Sequence, residues 1–129
     1  MAKRVALIGH CGPDSSYLRM AVTTADRGAR VITVDDSGQL ESLLNEGLDL
    51  LLFNRVLDYG FDEYEGAALI RKLRERYPGL KMMLVSNYPD AQAAAIEVGA
   101  LPGFGKRDIG SPKAKELLRL ALADDASVS

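Results

Sequence analysis

Five short aliphatic runs, none alternating apolar with polar, limit what this chain can fold into more than any other feature. They are "RVALIG" at 4–9, "ARVITV" at 29–34, "DLLLFN" at 49–54, "KMMLVS" at 81–86 and the weaker "LPGFG" at 101–105. A strand with one face in water shows a period of two. A strand covered on both faces does not, and that is how the strands of a parallel sheet read. Between the runs lie segments with helical spacing. The first carries Leu18, Ala21, Val22 and Ala25 on one face, with Asp14 as the expected N-cap and Gly28 as the stop. The second starts at Asp36, where Gln39 can reach back three residues later, and it buries Leu40, Leu43 and Leu44. The third runs over 64–77, buries Leu69, Ile70 and Leu73, and is stopped by Pro78 and Gly79. Asp90 is expected to open the fourth, and Ser111 followed by Pro112 the fifth.

Five strand-then-helix units with short connections predict a doubly wound α/β domain, a five-stranded parallel sheet with helices on both faces. The length of 129 residues suits one domain, read as 1–122 with a flexible C-terminal tail at 123–129. A net charge of −2, with 47% hydrophobic and 26% charged residues, gives no reason to expect a nucleic-acid or membrane partner. With a single cysteine, Cys11, no internal disulfide can form. No signal-like leader and no bilayer-length apolar run is visible, so a cytoplasmic location is the expectation.

In a doubly wound sheet the functional crevice lies at the carboxyl ends of the strands. That singles out Gly9 and His10 after the first strand, Asn54 after the third, Ser86 after the fourth and Lys106 after the fifth. The blocks "KRVALIGH", "VITVDDSGQLESLL", "LDLLLFN", "KMMLVSN" and "EVGALPGFGKRD" resemble, nearly end to end, the receiver domain of two-component response regulators. The resemblance covers about residues 3–122 and is most specific in "VGALPGFGK". It implies a flavodoxin-like sheet of strand order 2-1-3-4-5, with an acidic pair after the first strand, an aspartate phosphoacceptor after the third, a Ser or Thr after the fourth and a lysine after the fifth. Ser86 and Lys106 match that pattern. Gly9 and His10 stand where the acidic pair would be, Asn54 in place of the acceptor, Gly103 at the aromatic switch position and Arg107 in place of a proline, and "RVLDYGFDEYE" carries an insertion.

An amide oxygen is not an anionic nucleophile, so phosphotransfer to Asn54 is not expected. Magnesium wants carboxylate oxygens, which neither Gly9 nor His10 supplies, so no metal and no cofactor is expected. Every acidic position of the pocket is read as lost, which leaves Lys106 to pair with a nearby carboxylate such as Asp58 or with an anion from solution. His10 beside Cys11 lacks a third metal ligand and reads as a loop histidine. Asp36 is explained by capping, and "GHCGPD" lacks the spacing of a phosphate loop. "RKLRER" at 71–76 reads as a solvated helix face, and Asp62, Glu63 and Glu65 as a solvated loop.

The resemblance implies a receiver-like signalling module, not an enzyme. Without a phosphoacceptor it would act by phosphorylation-independent protein–protein interaction, binding an unidentified partner or itself through its fourth helix, fifth strand and fifth helix. The alternative is a sensor whose Ser86, Asn54 and Lys106 grip an anionic metabolite.

Overall fold

In the computed structural model, which describes residues 2–57 and 60–123, the five apolar runs lie side by side. They are β1 (Arg4–Ile8), β2 (Arg30–Val34), β3 (Leu50–Asn54), β4 (Met82–Val85) and β5 (Leu101–Phe104). Their order is β2-β1-β3-β4-β5, and every neighbouring pair is parallel. The five helices expected between and after them are present: α1 (Gly12–Ala25), α2 (Ser37–Glu46), α3 (Gly66–Arg76), α4 (Pro89–Glu97) and α5 (Pro112–Leu122).

The absence of alternation has the expected cause. Val5, Leu7, Leu50, Leu52, Met83 and Val85 point to one face of the sheet and pack with Leu18 and Val22 of α1 and Ala114 and Leu118 of α5. Ala6, Ile8, Leu51, Phe53, Met82 and Leu84 point to the other and meet Leu40, Leu44, Leu69, Ile70, Leu73 and Ala95 of α2, α3 and α4. Apolar residues are needed on both faces because neither touches water.

The helix ends are partly as read. Asp36 caps α2 by accepting from Gln39 N–H at 2.7 Å, and Gln39 Oε1 in return accepts from the backbone N–H of Asp35 at 3.1 Å. Ser111 Oγ caps α5, accepting from Ala114 N–H at 3.1 Å. Two N-cap expectations are corrected. The cap of α1 is Cys11, with Asp14 inside the first turn, and the cap of α4 is Tyr88, with Asp90 inside the first turn. In both helices a proline lies at one of the first two positions, where its missing N–H costs nothing, and it draws the helix start ahead of the acid. Helix α3 begins at Gly66 rather than 64, because Tyr64 O and Arg55 O accept from Leu57 and Gly66 N–H and Val56 bridges to Glu65, which holds residues 64–65 out of the helix. Asp58 and the tail beyond residue 123 lie outside the described residues.

Candidate functional site

The carboxyl ends of β1, β3, β4 and the turn after β5 meet as topology requires. Asn54, Ser86 and Lys106 line one cleft of about 290 Å³, together with Arg55, Val56, Asn87 and Tyr88. Gly9 joins them through its backbone. The Asn54 amide nitrogen donates to Gly9 O at 3.1 Å and to Val56 O at 3.0 Å, while its oxygen accepts from Arg55 N–H at 3.0 Å. The side chain that closes β3 is therefore neutral and already tied to the scaffold on both of its ends. Asparagine suits this position physically, since two of its contacts need a donor and one an acceptor.

Ser86 is buried, and its hydroxyl oxygen accepts from Tyr88 N–H at 3.1 Å. Arg55 lays its guanidinium over the Tyr88 ring, 4.6 Å from the centroid, and both line the cleft. Lys106 lies in a 3-10 turn, Lys106–Asp108, that follows β5. Its ammonium is 3.1 Å from Asp14 Oδ2. The carboxylate that pairs with Lys106 among the described residues is thus Asp14, from the first turn of α1, an acid outside the positions that the resemblance singled out. Burial alone would raise the Asp14 carboxyl, but hydrogen bonds from Lys106 and Cys11 and the Lys106 charge hold it below its ordinary value.

His10 lies in the loop after β1, as expected, but its ring is turned largely away from solvent. Gly9 has a positive φ of 73°, and the next residue turns its ring inward, where Nε2–H donates to Leu52 O at 2.9 Å. Nδ1 is buried with no hydrogen-bond partner. Burial is the largest influence on this imidazole and brings its pKa from 6.5 down to about 4; the Leu52 bond opposes that, Lys106 adds to it and Asp14 slightly offsets it. At neutral pH the ring is uncharged.

Gly103 belongs to the neighbouring cleft, which it shares with Ser86, Gln92 and Arg107. Asp14, Arg55, Tyr88 and Gln92 were all missed in the sequence. The other charge patterns have plain roles. Glu63 pairs with Lys72, and Arg76 with Glu41, while Arg74 donates to Pro78 O and Gly99 O, so Lys72 and Arg76 of the basic stretch and Glu63 of the acidic loop form surface ion pairs. Among the described residues no group of three or more His, Cys, Asp or Glu could hold a metal ion, and no helix is long and apolar enough to cross a membrane.

No family model and no curated protein matches the chain. Solved structures do. The non-phosphorylated receiver domain of the stress response regulator RcsB from Escherichia coli superposes with a TM-score of 0.72 at 17% identity, over 93% of each chain. RcsB from Salmonella typhimurium, described for its DNA interaction, gives 0.72 at 16% over 98% of this chain, which spans 65% of that one. A CheY-like receiver domain from Methanospirillum hungatei JF-1 gives 0.61 at 23%, over 94% of this chain and 97% of that one. The class that fold and topology define is the flavodoxin-like, receiver-type α/β sheet.

Proposed function

We propose that the chain is a receiver-like signalling module that works by phosphorylation-independent protein–protein interaction and catalyses no reaction of its own. The observation that carries this reading is the state of Asn54. Its amide is neutral and its nitrogen faces two carbonyls, so the end of β3 offers no anionic oxygen to attack a phosphoryl group. The lysine that would balance phosphoryl charge is engaged by Asp14. Gly9 and His10 supply no carboxylate for magnesium, and the inward turn of His10 removes even its ring from the cleft. What is left to communicate is surface. Tyr88 at the N-cap of α4, Ile96 on α4 and Leu120 on α5 are large apolar side chains in the open, on or beside the elements proposed as the partner face.

Incubation with acetyl phosphate and magnesium, followed by intact-mass measurement, tests the phosphorylation half: the mass should not change, and a stoichiometric adduct mapped to Asp14 or any other crevice residue overturns it. For the interaction half, Ile96→Glu should abolish recovery of a partner, or of a second copy, that the natural chain captures. The reading of the cleft as an anion sensor has two cations, Arg55 and Lys106, in its favour. Tyr88 and Asp14 already occupy them. A rise in melting temperature with a small phosphorylated or carboxylated metabolite would move the preference to that reading.

A further inference from the structure

The edge of the sheet at β5 is irregular. β4 and β5 pair at Met83 and Leu101 and again at Val85 and Phe104, so β5 takes one residue more than β4 across the same stretch. Pro102 falls in that stretch and has no N–H to give to a ladder. Gln92 of α4 enters the gap. Its Nε2 lies 2.8 Å from Leu84 O, 3.2 Å from Ser86 O and 3.2 Å from Phe104 O, so two protons serve three carbonyls. Residue 103 leaves room for this amide only because it has no side chain. A Cβ there would stand 3.0 Å from Gln92 Oε1 and overlap the Leu84 carbonyl oxygen. Two further bonds extend the same junction: Ser86 N–H donates to Phe104 O at 3.0 Å, and Arg107 N–H to Asn87 Oδ1 at 3.1 Å.

We propose that Gln92 and Gly103 form a clamp that holds the β4–α4 connection against the end of β5 in a single conformation, so that α4 presents one fixed face whatever occupies the cleft at Ser86 and Lys106. The two positions are complementary: the amide needs the space that Gly103 leaves, and the bulge carbonyls need the amide. The clamp rests on these contacts alone. It stands or falls independently of whether the chain is phosphorylated.

Native-state amide hydrogen exchange at Ser86 and Arg107 reads it out. Gln92→Met keeps the length and apolar stem but offers no donor, and it should speed exchange at both amides about tenfold while leaving the β1 and β3 amides unchanged. Gly103→Ala should do the same by displacing the Leu84 carbonyl that accepts from the amide, since a Cβ there would overlap that oxygen. In the double variant the two accelerations should not multiply, because the second change acts on a clamp already open. Rates in Gln92→Met equal to those of the natural chain, or a double variant showing the full product of the single effects, overturn the proposal. In the natural chain itself, the side-chain amide protons of Gln92 should exchange more slowly than those of Gln39, whose amide donates to one carbonyl, Thr33 O, at the exposed surface. Equal rates there overturn it as well, without any variant having to fold.

Discussion

Acidification should destabilise this protein chiefly through one residue. His10 is the only histidine, and in the folded chain its pKa is held near 4 against an ordinary 6.5. Between those values the unfolded chain takes up a proton that the folded chain refuses, so stability is complete above about pH 6.5 and is lost as the pH falls toward 4. With 1.36 kcal/mol for each pH unit separating the two values, the loss is roughly 2 kcal/mol at pH 5 and about 3 kcal/mol once pH 4 is reached. That is a sizeable part of the 5–15 kcal/mol or so that a domain of this kind has. The carboxyls of Asp14, Glu41 and Glu116 are also held below their ordinary values by their cationic partners, so they add to the decline at its acid end, and they are common to the natural chain and a His10 variant. Urea unfolding from pH 8 to 4.5 should show the decline, and His10→Gln should flatten it, because glutamine can still donate to Leu52 O but takes no proton. The imidazole resonances of the single histidine give the folded pKa directly. If the natural chain and His10→Gln lose stability with the same slope between pH 6.5 and 4.5, or if the imidazole titrates near 6.5, the inward placement of this ring is wrong.

Two further substitutions test the crevice. Asn54→Asp would set a carboxylate oxygen against Gly9 O and Val56 O in place of an amide nitrogen, and it should cost about 1–3 kcal/mol by urea unfolding at pH 7; an unchanged or raised midpoint would mean that Lys106 leaves Asp14 for the new charge. Gly9→Ala puts a Cβ at a φ of 73° and 2.7 Å from Leu57 Cδ2, so it should cost about 1–2 kcal/mol or more, whereas Gly12→Ala, with nothing within 4 Å, should be close to neutral in the same measurement.

What could be read in the chain, and what could not, divides by the range of the interaction involved. The strands were legible because burial on both faces is written into every residue from Val5 to Ile8 and from Leu50 to Phe53, and the parallel order follows from helices being the connections. The caps at Asp36 and Ser111 are contacts over three residues, and they too were legible. Asp14 was misread for a local reason: an acid looks like a cap until the preceding proline is allowed to set the helix start, and the same holds for Asp90. Its actual role, holding Lys106 from 92 residues away in the chain, has no local signature, because only the closed sheet brings the start of α1 to the turn after β5. His10 illustrates a third kind of limit. Whether a side chain after a strand faces solvent or the sheet depends on one backbone angle, that of Gly9, and glycine permits both signs of φ. The clamp at Gln92 left a single trace, Pro102 and Gly103 inside an apolar run, which marks a bulge on an edge strand. A bulge strands carbonyls, and stranded carbonyls must find donors. That a donor had to arrive was therefore implicit in the sequence, while its source on the neighbouring helix depended on how α4 docks, and docking is the property that one-dimensional spacing does not encode.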